Sequence, residues 1–125
     1  MKVATGRNNT YVPASYGSTE TVSFINIAAG DVVFAAFCQV TTAFDGSPTA
    51  ILGDGGSTNR FMTTTNTAIT SATTLPNIGT GAGFATTPGY MYTSDDTIDI
   101  VYTTGGSPTV GAAVFWIIKF KAYPW

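Results

Sequence analysis

The stretch Thr109-Val110-Gly111-Ala112-Ala113-Val114-Phe115-Trp116-Ile117-Ile118-Lys119-Phe120-Lys121-Ala122 decides the fold. Read at a period of two, one parity holds Val110, Ala112, Val114, Trp116, Ile118 and Phe120; the other holds Ala113, Phe115, Ile117, Lys119 and Lys121. Successive side chains of a strand point to opposite faces, so a strand here is apolar on both faces until its lysines. Asp31–Thr42, with Val32-Val33-Phe34-Ala35-Ala36-Phe37-Cys38-Gln39-Val40 at its centre, has the same character. One sandwich buries one face of each sheet, so two doubly apolar strands predict a second cover from a partner chain or an arm.

Outward from these two, Asp96–Thr103 alternates, with Ile98, Ile100 and Tyr102 inward and Thr97, Asp99 and Val101 outward. Glu20–Ile27 reads as a strand closed by Ala28-Ala29-Gly30-Asp31, and Thr49–Gly53 as a short one between Asp45-Gly46-Ser47-Pro48 and Asp54-Gly55-Gly56. Arg60–Thr63 starts a further strand or turn, residues 64–82 form a long loop, and Gly83–Thr93 holds one or two short strands with Tyr90 and Tyr92 on one face. Val and Ile total 18 against 2 Leu, and Thr contributes 23 of 125 residues, a β-branched bias that favours pleated surfaces over helices. The expectation is an all-β fold: an antiparallel β-sandwich of about eight strands, jelly-roll-like, although periodicity leaves an immunoglobulin-like topology open. Residues 1–19 show no sustained period and read as an extended N-terminal arm, with 20–125 as the single domain.

Composition narrows the chemistry. Charged residues are 10% of the chain and the net charge is -2, which provides no basic field for nucleic acid or an anionic membrane. The absence of His removes Ser-His-Asp and Cys-His catalysis and His metal sites. Asp95, Asp96 and Asp99 form the densest acidic group, yet in a strand Asp96 and Asp99 fall on opposite faces, so a solvated turn is favoured over a Ca²⁺ site. Asp45 and Asp54 sit before glycines, where Asp serves turns; a pair of glycosidase carboxylates is the less favoured reading. Gly53-x-Gly55-Gly56 and Gly79-x-Gly81-x-Gly83 lack the Lys-Ser/Thr or helix of a phosphate loop. Cys38 is expected as a small buried hydrophobe. No apolar run follows Met1, so the expectation is synthesis without a signal peptide in a reducing cytosol, where Asn8-Asn9-Thr10 is not glycosylated. No catalytic, cofactor-binding or metal-binding residue is predicted.

The aromatic residues divide. Phe24, Phe34, Phe37, Phe115, Trp116 and Phe120 lie within strands and are expected in the core, whereas Tyr11, Tyr16, Tyr90, Tyr92, Tyr123 and Trp125 sit near the ends or the arm, where Tyr and Trp suit interfaces. Val3, Tyr11, Val12, Tyr16, Tyr123 and Trp125 are therefore the candidate interface residues.

Several stretches resemble the small all-β virion proteins of tailed bacteriophages, of the head decoration, cement or minor fibre type. They are Ile27-Ala28-Ala29-Gly30-Asp31-Val32, Val40-Thr41-Thr42-Ala43-Phe44-Asp45-Gly46-Ser47-Pro48-Thr49-Ala50, Thr97-Ile98 to Tyr102, and Gly105-Gly106-Ser107-Pro108-Thr109-Val110-Gly111-Ala112-Ala113-Val114. The resemblance implies a non-enzymatic β-sandwich that assembles as a homotrimer on the capsid surface of the virion after synthesis in the host cytoplasm. Its partners would be the major capsid protein and itself, with no cofactor, nucleic acid or membrane. It implies a decoration or cement protein bound to the assembled head. The alternative is a tail-fibre or receptor-binding module stacking Tyr and Trp on a host glycan, with a small glycosidase third.

Overall fold

Among the described residues, eight strands form in chain order: β1 (Thr5–Tyr11), β2 (Glu20–Ile27), β3 (Asp31–Thr42), β4 (Thr49–Gly53), β5 (Asn77–Ile78), β6 (Tyr90–Met91), β7 (Asp96–Thr103) and β8 (Ala112–Lys121). The computed structural model describes residues 5–84 and 89–121, and it is nearly all β. Among the described residues the helical segments are α1 (Thr64–Thr67), capped by Thr63, and a 3₁₀ turn over Ala82–Phe84. The β-branched bias thus yields the all-β sandwich that the sequence predicts.

Two antiparallel sheets face each other. One has β8 between β1 and β3, with β5 and β6 pairing the far edge of β3; the other has β7 between β2 and β4. The chain crosses from one sheet to the other at each step from β1 to β5 and again from β6 through β7 to β8. The register sets the core. On β8, Ala113, Phe115 and Ile117 point inward and are fully buried, as do Val33, Ala36, Cys38 and Val40 of β3. Ile98, Ile100 and Tyr102 of β7, Ala50 and Leu52 of β4, and Ile25 and Ile27 of β2 meet them from the second sheet. Burying a side chain such as Phe115 contributes about 2–3 kcal/mol. Cys38 takes the expected role of a buried hydrophobe, and burial pushes its thiol pKa up to about 12. Bulges at Ser23/Ile25 in β2 and Val33/Ala35 in β3 shift the pairing by one residue.

The reading of residues 1–19 as an arm apart from the core is corrected over Thr5–Tyr11. This segment pairs with β8 along its whole length, Thr5 opposite Lys119 through Tyr11 opposite Ala113. The ring of Tyr11 is only 6% exposed, against Tyr102 and Phe115. Backbone ladder bonds and this one ring anchor a sequence too polar to show a strand period. The expected long loop 64–82 contains α1 and β5, and it seats Ile69 in the core.

Candidate functional site

The described carboxylates are engaged in structural bonds. Asp54 is buried and receives Arg60 Nε at 2.6 Å, the Tyr92 hydroxyl at 2.7 Å and the amides of Gly56 and Ser57 at 3.0 and 2.9 Å. Burial opposes its ionisation, but these donors outweigh burial and hold the carboxyl below the usual carboxylate range. The Arg60 guanidinium in turn lies 4.1 Å over the ring of Tyr90. Asp31, also buried, takes Lys119 Nζ at 2.9 Å and Lys121 Nζ at 3.0 Å, and the Ala28 amide at 3.0 Å. Asp45 accepts from the Thr109 and Val110 amides, and Asp95 from the Ala29 amide. In β7, Asp99 accepts from the Thr97 hydroxyl. Asp45 and Asp95 thus serve as turn residues, as their sequence context predicts.

The distinctive feature is the outer face of the five-stranded sheet. With Phe115 and Ile117 inward, Val114, Trp116, Ile118 and Phe120 of β8 face out and are half-buried only by their neighbours. β3 contributes Val32 and Phe37, half-buried, and Phe34, 50% exposed, whose ring lies 6.4 Å from that of Phe120. Directly opposite Phe37 stand Trp116 on one side and Ile78 on the other, and Met91 stands opposite Val32. Ile78 and Met91 are 57% and 54% exposed; Leu75, 75% exposed, lies in the chain leading into β5. No Asp, Glu, Lys or Arg stands among the described outward residues of this face. The outer face of the other sheet is the opposite in character. Thr21 and Ser23 of β2, Thr97 and Asp99 of β7 and Thr49 of β4 surround Val101 and Ile51. Among the described residues, the sandwich thus has an uncharged, largely apolar face on one side and a polar face on the other.

This reverses part of the division of aromatics. Phe34, Phe37, Trp116 and Phe120, expected in the core, line the outer face, whereas Tyr11 and Tyr92, expected at an interface, are buried. Phe24 and Phe115 do meet inside the sandwich. A two-parity apolar strand must turn one parity outward, and composition alone does not say which; the lysines of β8 mislead, because Lys119 and Lys121 sit on the inward parity and are drawn onto Asp31. Of the remaining candidates, Tyr16 is half-buried with its hydroxyl donating to the Gly111 carbonyl at 2.9 Å. Val12 is 50% exposed beside a cleft of about 260 Å³ between the free edges of β1 and β2, lined also by Tyr11, Glu20, Val22 and Phe24. Val3, Tyr123 and Trp125 lie outside the described residues. The outer-face residues were legible as apolar on both parities of the two strands; Ile78 and Met91, in strands of two residues, carried no such signal.

No protein-family model matches the chain, and no curated protein matches it. The fold is similar to a chain of the cyanophage Pam1 capsid asymmetric unit, with a TM-score of 0.69 and 13% identity over 97% of this chain and 84% of that one. It is also similar to a chain of the acid-stable capsid of the Helicobacter pylori bacteriophage KHP30, with a TM-score of 0.65 and 9% identity over 95% of this chain and 88% of that one. At these identities the likeness is one of fold.

Proposed function

We propose that this chain is a bacteriophage capsid decoration or cement protein, a non-enzymatic homotrimer that binds the assembled head from outside and stabilises contacts between major capsid subunits. The observation that carries the reading is the likeness, over nearly the whole chain, to chains of two phage capsids that are themselves little longer than this one. The crossing of the chain between sheets, with β1-β8-β3 opposite β2-β7-β4, is read as a jelly roll, the architecture expected of such a protein. The engagement of Asp31, Asp45 and Asp54 in ion pairs and turns leaves these carboxylates to structure instead of catalysis. Binding confined to the assembled shell stabilises that shell by mass action. Val12, exposed at the cleft between β1 and β2, is the proposed contact retained from the N-terminal segment.

A tail-fibre role stacking Tyr rings on a glycan loses support from the burial of Tyr11 and Tyr92. The test is to add the purified protein to heads lacking it, from the phage that encodes it, and to map the particles by cryo-electron microscopy. Saturable density across the head and a raised disruption temperature are expected. Density confined to the tail, or no binding, overturns the proposal.

A further inference from the structure

We infer that the outer face of the five-stranded sheet is where copies of this chain meet, with Phe34, Phe37, Trp116, Ile118, Phe120 and Ile78 as the buried centre of the contact. The inference deepens the homotrimer of the proposed function by naming the surface through which it forms, and it rests on that part of the reading but not on binding to a head. Three observations choose a second copy as the occupant. The first is size. Half of a large apolar side chain is on the order of 100 Å², so Phe34, Ile78 and Met91 with the half-buried residues between them expose roughly 500 Å². That is a large share of the ~800 Å² each partner gives to a standard interface and lies in the upper part of the range for the largest patch of a monomer, which is often functional.

The second is charge. Where copies pack around a symmetry axis, the residues nearest the axis are brought towards their own kind, so a charged group there would face its like. The described residues of this face avoid that conflict by carrying no charge; the nearest lysines, Lys119 and Lys121, are turned inward onto Asp31. The third is the contrast between the two outer faces. The face of the three-stranded sheet carries Thr21, Ser23, Thr97 and Asp99, as a water-facing sheet should. The apolar face matches the hydrophobic character of permanent interfaces instead, and another copy of the same chain is the partner present from the moment of synthesis.

The experiment is sedimentation of the full-length chain, alone, across a micromolar concentration series. The wild type is expected to run as an oligomer. Phe34→Glu and Ile78→Lys, each on an exposed position, should raise the concentration of half-assembly about 100-fold, as burying an unpaired charge demands. Thr21→Glu, on the polar face, should leave it unchanged. A readout on the wild type guards against misfolded variants: peroxide oxidation of Met91, followed by mass spectrometry, should slow as protein concentration rises through assembly. A monomeric wild type overturns the inference and assigns the face to a different partner. An oligomer that withstands both substitutions, one that Thr21→Glu disrupts equally, or Met91 oxidation independent of concentration overturns it as well.

Discussion

The Asp54 carboxylate lies 2.6 Å from Arg60 Nε, and with the Tyr92 hydroxyl on the same carboxylate the pair ties the loop after β4 to the chain between β6 and β7. The chain wraps it tightly: a side chain at Gly81 would meet the Arg60 carbonyl at 2.3 Å, and one at Gly83 the Arg60 Cγ at 2.6 Å. Breaking a largely buried pair by removing one charge leaves the other uncompensated. Asp54→Asn is expected to cost about 3 kcal/mol, measured by urea denaturation. The pH dependence follows from the lowered pKa of Asp54. Its contribution is fully present above the unfolded value near 4 and is lost as pH falls through the folded value. The stability of the wild type should therefore fall more steeply below about pH 4 than that of Asp54→Asn.

Two similar turns, Asp45-Gly46-Ser47-Pro48 and Gly105-Gly106-Ser107-Pro108, dock on each other through the Ser47 amide and the Gly105 carbonyl at 2.9 Å. Gly46 has φ +73°, and a Cβ there would lie 2.7 Å from the carbonyl oxygens of both Gly105 and Gly106. Gly46→Ala should cost about 2 kcal/mol or more, combining left-handed strain with a backbone clash. Gly17→Ala, where a Cβ meets nothing within 4 Å, should change thermal stability by less than about 0.5 kcal/mol.

Strands were legible where alternation and turn residues agreed. β2, β3 and β4 fall on the segments that Gly30, the Asp45-Gly46 turn and the Asp54-Gly55-Gly56 turn delimit, and β7 falls on the alternating Asp96–Thr103. β1 was missed because Thr-Gly-Arg-Asn-Asn-Thr-Tyr offers one large apolar side chain, and its pairing with β8 is a long-range fact. The glycines at 79, 81 and 83 lack the sequence context of a phosphate loop, and the sequence offers no other role for them. Their real constraint is the close passage of Phe61 and Arg60, which no local pattern records. The apolar outer face was half legible: periodicity in β3 and β8 announced apolar side chains on both faces, but not that Trp116 and Phe34 would lie outside while Tyr11 lay inside.

Tyr11 and Tyr92 should stay protonated in the folded chain well beyond the usual phenol range. Burial is the main cause for both, reinforced by the hydroxyl bonds to Glu20 and Asp54. A raised folded-state pKa contributes stability that is present below the unfolded value near 10 and is lost as pH climbs above it. In an alkaline absorbance titration, part of the tyrosinate signal should therefore appear only with unfolding seen by circular dichroism. A complete tyrosinate signal in a protein still folded would refute this assignment.

Deleting residues 1–19 should destabilise the sandwich. The segment supplies β1, which covers one edge of β8, and the Tyr11 ring that packs on Tyr102 and Phe115. It also supplies the Tyr11 hydroxyl bond to Glu20 at 2.6 Å and the Tyr16 carbonyl that accepts from the Tyr102 and Thr104 hydroxyls, each at 2.8 Å. Removing a buried aromatic side chain alone costs about 3–5 kcal/mol, and a domain of this size is stable by about 5–15 kcal/mol. Loss of the strand edge and of the partners of Tyr102 adds to that. The truncated chain is expected to melt far below the full-length protein or to aggregate on expression, with Tyr11→Ala reproducing much of the loss. Thermal denaturation of the three proteins side by side decides the matter: a truncated chain that melts with the full-length one would mean that β2–β8 form the stable unit by themselves and that β1 is only laid along its edge.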